Sequence, residues 1–159
     1  PTHASSVARA VGAALHEDPD VLVIGEIEDA ETARLALQAA EGGRLVLATF
    51  SAQSAARAVA RLLGLFPADQ QSMAGAMLAG ALRAVVAQRL VLATDNARRV
   101  PVCEIIDVDA ATSAFIAQSN ALEIHPTVSI DQALAAAVRA GLITRDEARQ
   151  HADRTEAFS

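Results

Sequence analysis

The chain has 159 residues, 52% of them apolar and 20% charged, with a net charge of −6, and all thirteen of its cations are arginine. That length supports one well-cored domain, or one domain with a short appendage, and argues against two full domains. No apolar run approaches the roughly 18 residues of a membrane span, and an acidic chain without Lys, Trp or Tyr lacks the clustered cations and aromatic platforms that nucleic acids require. The single cysteine, Cys103, sits in an apolar run and reads as a small core residue in a reducing compartment, so a soluble, cytoplasmic protein is expected. No basic, apolar leader opens the chain, which starts at Pro1, so it reads as a piece of something longer.

Val7, Val11 and Leu15 fall four apart and predict a helix from Ser5 to His16, broken at Asp18-Pro19. Val21 to Ile24 is a short apolar run ending at Gly25, the pattern of a parallel strand buried on both faces. Asp29 caps the next helix, with Glu31 favourable at its N-terminus, Ala33, Leu37 and Ala40 facing inward, and Gly42-Gly43 stopping it. Leu45 to Thr49 is a second buried strand. Strand, helix and strand arrive at the spacing of a right-handed βαβ unit, which makes the sheet at least partly parallel.

Ser51 or Ser54 caps a third helix through Val59, Leu62 and Leu63, and a fourth from about Asp69 is expected to bury Met73 or Met77, then Leu78, Leu82 and Val85. Leu90 to Leu92 and Val100 to Ile106 predict a hairpin at the sheet edge, turning at Thr94-Asp95-Asn96. A helix near Ala110 to Ser119 and a loop at His125-Pro126 follow. Two further helices are each opened by a capping box, Ser129 with Gln132 and Thr144 with Glu147, and Gly141 closes the first. The expected organisation is an α/β core over residues 1–108, mostly parallel with an edge hairpin, and a small helical subdomain over residues 109–159.

In parallel α/β sheets ligands sit at the carboxyl ends of the strands. The first strand delivers Gly25-Glu26 to that edge and the second delivers Thr49-Phe50-Ser51. A carboxylate straight after a buried strand is what nucleotide hydrolases use to orient or deprotonate a water, or to hold Mg²⁺ through one; the plain alternative for Glu26 is a solvated acid at a strand end.

The full strings narrow this choice. DPDVLVIGEIEDAET (Asp18 to Thr32) resembles the Walker B region of the secretion and pilus motor ATPases, and GGRLVLATFSAQSA (Gly42 to Ala55) lies where that family has its histidine box. RLLGLFPADQQ (Arg61 to Gln71), AVVAQRLV (Ala84 to Val91) and RVPVCEII (Arg99 to Ile106) continue the match in order. The tail SIDQALAAAVRAGLITRDEA (Ser129 to Ala148) is similar to the end of PilT-type pilus retraction motors, the nearest type beside PilB and type II secretion E proteins.

The resemblance implies a RecA-like ATPase domain, ATP and Mg²⁺ as its nucleotide and ion, and a hexameric ring. It also implies inner-membrane platform proteins of a pilus or secretion apparatus as partners, with no nucleic acid and no insertion into the membrane. It places Glu26 as the catalytic carboxylate, with Gly25, Thr49 and Ser51 beside the nucleotide.

Departures from the family pattern matter as much. A phosphate-cradling GxxxxGK[ST] loop is absent from a chain without Lys. This piece is therefore expected to bind no nucleotide and to be inactive alone. The family's Thr-Leu-His-Thr appears as Thr49-Phe50-Ser51-Ala52, and its Gly-Glu-Ile-Arg-Asp as Gly25-Glu26-Ile27-Glu28-Asp29. A hydroxyl replaces an imidazole and an acid replaces a base.

Glu17, Asp18, Asp20, Glu26, Glu28, Asp29 and Glu31 then form a local field that disfavours phosphate unless Mg²⁺ or a neighbouring subunit compensates. These features leave a second reading open, a non-catalytic interaction or regulatory module of a motor ring. Arg57 and Arg61, four apart on one helix face, read as solvated arginines, with contact to a neighbouring subunit's nucleotide as the alternative. His3, His16, His125 and His151 show no metal spacing.

Overall fold

The computed structural model describes residues 7–158. Helix α1 (Val7–Leu15) leads to β1 (Val21–Ile24), α2 (Ala30–Glu41), β2 (Leu45–Ala48), α3 (Ala55–Gly64) and α4 (Gln71–Ala81). After β3 (Ala84–Leu92) and β4 (Arg99–Asp107) come α5 (Ala110–Ala117), α6 (Ile130–Arg139) and α7 (Arg145–His151), with 3-10 turns at Ala121–Glu123 and Thr155–Phe158. The start of the expected first helix, Ser5 and Ser6, and His3 lie outside the described residues. Among the described residues no helix is long and apolar enough to cross a membrane.

The chain makes two compact units. The first holds the described residues up to Arg83 together with Val108–Ile124, and the second holds Ala84–Asp107 with the described residues from His125 onward. These units cut the chain differently from the expected boundary after residue 108. α5 and the Ala121–Glu123 turn belong with the first unit, and the hairpin belongs with the tail helices. The reason lies in which apolar faces meet: α5 packs on α4, whereas α6 packs on β4 and α7 on β3.

In the first unit β1 and β2 pair in parallel, with Val21 opposite Leu45 and Ile24 opposite Ala48. α2 crosses between them as expected. Asp29 Oδ1 accepts from the Thr32 amide at 2.7 Å and Asp29 Oδ2 from the Thr32 hydroxyl at 2.9 Å, which fixes the helix start. The amide of Gly42 returns to the Gln38 carbonyl, and Gly43 turns the chain at φ +89°, a conformation open to glycine and strained for other residues. Ala33, Ala36, Leu37 and Ala39 form the buried stripe of α2, with Ala40 half-buried.

The expectation that both strands are buried on both faces is corrected. Leu22 and Ile24 are buried, but Val23 is 72% exposed and Val21, Leu45 and Leu47 are each about half exposed. α1 and α2 pack on the pair and the alternation along β1 leaves one face open. Apolar composition named the strands correctly; it did not say how many layers this chain would supply.

α3 starts at its Ser54 cap, buries Val59 and Leu63, and runs to Gly64. The expected fourth helix is too long as drawn. α4 ends at Ala81, Leu82 turns extended (φ −65°, ψ 133°), and Val85 is already in β3. Its buried stripe is Ala74, Gly75 and Leu78, leaving Met73 exposed and Met77 half-buried. Gly75 allows the approach to α5, since a Cβ there would lie 3.1 Å from the Ile116 carbonyl oxygen, and Ser113 Oγ donates to the Ala79 carbonyl nearby at 2.8 Å.

In the second unit β3 and β4 form an antiparallel hairpin and a sheet of their own, in register from Ala84 opposite Asp107 to Leu92 opposite Arg99. Arg98 Nε donates to Asp95 Oδ2 at 2.7 Å across the turn, and Asn96 adopts φ +55°. Val91, Val102, Ile130, Leu134, Ala137, Ile143, Ala148 and Phe158 make one buried cluster.

Ser129 and Gln132 form a complete capping box on α6. The second box is half made. Thr144 Oγ1 accepts from the Glu147 amide at 3.1 Å, but the Glu147 carboxylate accepts instead from the Leu92 amide at 2.6 Å, tying α7 to the end of β3. Cys103 is half-buried on β4.

Candidate functional site

Two backbone hydrogen bonds carry the β1–β2 pairing past the ends of the strands. The Thr49 amide donates to the Ile24 carbonyl and the Ile27 amide donates to the Thr49 carbonyl, both at 3.2 Å. The Thr49 hydroxyl also donates to the Gly25 carbonyl. The residues following each strand therefore leave the sheet side by side at its carboxyl edge, which is where parallel sheets hold ligands.

Glu26 and Ser51 meet there. Ser51 Oγ donates to Glu26 Oε1 at 2.7 Å, a short bond to a charged acceptor. Glu26 is half-buried and Ser51 exposed, so the carboxylate has solvent access yet one of its oxygens is held. Together with Ile27, Glu28, Phe50, Arg61 and Leu65 they line a cavity of about 250 Å³. All four residues expected at the site, Gly25, Glu26, Thr49 and Ser51, thus lie at one edge.

Arg61 is exposed, as expected of a solvated arginine, but it has partners that the sequence did not show. It does not simply project into solvent: its Nη1 donates to the Ser51 carbonyl at 2.5 Å and its guanidinium carbon lies 5.4 Å from the centre of the Phe50 ring. Leu65 was not singled out either. The ten-residue separation of Ser51 and Arg61 carries no periodic signal, and only the fold-back of α3 on its preceding loop brings them together.

The acidic stretch is more structural than its charge suggests. Asp18, at φ +49°, pairs with Arg44 at 2.5 Å. Asp29 caps α2, and the hydrogen bond from the Thr32 amide, helped by the Thr32 hydroxyl, holds its carboxyl below the ordinary carboxylate value against the opposing effect of burial. Glu28, by contrast, lines the same cavity as Glu26, where it adds negative charge. Among the described residues no three His, Cys, Asp or Glu side chains are grouped to hold a metal ion.

Residues 1–156 match the family model described as Type II/IV secretion system protein. A twitching motility protein of Neisseria gonorrhoeae is 37% identical over 166 residues, covering 99% of this chain and 44% of that protein. The type IV pilus retraction ATPase PilT of Pseudomonas aeruginosa is 35% identical, covering 94% and 46%.

A crystal structure of the pilus retraction motor PilT with bound ADP superposes with a TM-score of 0.83 at 30% identity, covering 96% of this chain and 45% of that one. The DotB ATPase of Legionella pneumophila, at 22% identity and a TM-score of 0.81, shares the fold. The chain spans less than half the length of these relatives, and over that span its α/β fold is that of their RecA-like ATPase domains. The chain belongs to the Type II/IV secretion system protein family.

Proposed function

We propose that this chain supplies the water-orienting part of a motor ATPase, one that couples ATP hydrolysis to pilus retraction or assembly or to type II secretion. The observation that carries the reading is the half-buried Glu26 carboxylate, held by Ser51 at the carboxyl edge of the parallel pair and lining an open cavity. A carboxylate placed so can orient or deprotonate a water for attack on a phosphoryl group.

The residues here do not make a phosphate site by themselves. The cavity lining offers one cation, Arg61, against two carboxylates, Glu26 and Glu28, and the 159 residues contain no GxxxxGK[ST] and no Lys. Phosphate-holding amides with a Lys are not among these 159 residues, so the reading expects no turnover from the chain alone. Mg²⁺, when bound, would neutralise phosphate charge, and Glu26 would reach it through water. In the working assembly the protein is a cytoplasmic hexameric ring, docked on inner-membrane platform proteins, with neither nucleic acid nor lipid as a direct partner.

The test is magnesium-dependent ATP turnover by the full-length protein. Glu26→Gln keeps the shape and removes the base, and it is expected to lower kcat by a factor on the order of 10²–10⁴. Equal turnover by the variant would remove Glu26 from the chemistry.

A second reading, a non-catalytic module that keeps the fold while regulating or capping an active ring, is favoured by one observation. Two of the positions where this sequence departs from the family pattern, Glu28 and Ser51, both line the cavity that holds Glu26. Combining Glu28→Arg with Ser51→His discriminates: increased turnover means a weakened catalytic site, and no change favours the module.

A further inference from the structure

The loop from Thr49 to Ser54 joins β2 to α3 and is anchored at both ends, by Thr49 on the neighbouring strand and by Ser54 as the cap of α3. Between those anchors lies Ser51, whose hydroxyl reaches Glu26. Arg61 engages the segment between the anchors twice, through Nη1 on the Ser51 carbonyl and through its guanidinium carbon, which lies over the Phe50 ring. Arg57, one turn earlier on the same helix, has its amide in the α3 cap and does not line the cavity.

We propose that Arg61 is a positioning residue that clamps the loop so that the Ser51 hydroxyl holds Glu26 in one rotamer. The inference rests on the reading of Glu26 given above and goes beyond it, because Arg61 acts through Ser51 and touches no reacting atom. The side-chain chemistry suits the task. A guanidinium presents several N–H donors in a rigid plane, so one edge can hold a carbonyl while the face lies on an aromatic ring. An ammonium on a flexible stem can serve either contact well, though seldom both.

A glutamate has three rotatable bonds, and fixing it removes an ordering cost from the reaction. Displacement of a catalytic group by about 1 Å can lower a rate by about 10². Loss of the clamp leaves the serine in place and only loosens it, so a smaller penalty is expected. Arg61→Gln should lower kcat for ATP hydrolysis about tenfold and leave KM for MgATP within about twofold, because no substrate contact is removed.

The experiment measures ATP turnover of the full-length protein as wild type, Arg61→Gln, Arg61→Lys, Ser51→Ala, the Arg61→Gln/Ser51→Ala double variant and Glu26→Gln, with amide hydrogen exchange over residues 50–53 of the nucleotide-free protein. The expected result has four parts: the stated kcat loss in Arg61→Gln, partial recovery in Arg61→Lys, a double variant no slower than Ser51→Ala, and exchange at least about tenfold faster in Arg61→Gln at residues 50–53 with α2 and α4 unchanged.

A raised KM with kcat intact overturns the proposal in favour of direct phosphate contact, and multiplying losses in the double variant overturn it as an independent role. Wild-type kcat in Arg61→Gln while Glu26→Gln is dead defeats the clamp and leaves the catalytic reading standing. A Glu26→Gln protein as active as wild type defeats that reading instead. Unchanged exchange in Arg61→Gln defeats the clamp whatever the turnover shows.

Discussion

The two pairs of strands sit in units finished to different degrees. The hairpin of the second unit is covered by helices from its own tail, and its buried cluster draws on β3, β4, α6, α7 and the last 3-10 turn. Its helix ends are tied as well, by the Ser129 box and by the Glu147 carboxylate on Leu92. In the first unit the parallel pair is covered on one face, and Val21, Val23, Leu45 and Leu47 remain open on the other. Antiparallel sheets stand with one face in water, whereas parallel sheets occur with both faces covered. The candidate site therefore lies at the edge of the sheet whose second apolar face is open.

This contrast can be broken most sharply by truncating one apolar side chain in each unit. Leu134 is fully buried, so Leu134→Ala is expected to destabilise by about 2–5 kcal/mol through lost burial and the cavity left behind. Val23→Ala removes a side chain that is 72% exposed and should cost less than about 0.5 kcal/mol. Urea unfolding of the two variants checks both values, and a Val23 cost near that of Leu134 would show that the open face is covered after all.

A smaller effect is expected within the first unit. Gly75→Val puts methyl groups against the Ile116 carbonyl, where even a Cβ would sit 3.1 Å away, and overpacking of this kind costs about 1–3 kcal/mol. A neutral result would mean that the α4–α5 contact is looser than the hairpin core.

What the sequence made legible follows from how local each signal is. Asp29, Gly42-Gly43 and the Ser129 box all act within one turn of chain and each was readable, while Ser54 was one of two candidate caps until the structure chose it over Ser51. The order strand, helix, strand fixed the parallel pair, and with it the meeting of Glu26 and Thr49–Ser51 at one edge. The misses are all questions of long-range partnership. Helical periodicity carried α4 through Leu82 and Val85 because nothing local marks Ala84 as a strand that pairs with Asp107. Glu147 looked like the second half of a capping box until the Leu92 amide competed for it. Arg61 is exposed as expected, but its partners, Phe50 and Ser51, lie a loop away and leave no local signal.

The smallest effect tests the local layer of the site. Asp29 accepts two hydrogen bonds from Thr32 and begins the helix that follows Glu26, so Asp29→Ala should cost about 1 kcal/mol near neutral pH, the usual size for an N-cap. The pH dependence has a definite sign. The folded-state pKa is lowered by the Thr32 amide first and the Thr32 hydroxyl after it, so the ionised form is favoured by folding. The stabilisation is fully present above the unfolded value of about 3.9 and disappears as pH falls through the lower folded value. Urea midpoints of wild type and variant should therefore stay apart from pH 7 down to about 4 and converge in more acidic solution. A gap constant across that range would mean that the Asp29 side chain contributes through packing, and the strand-end turn carrying Glu26 would then owe nothing to the charged cap.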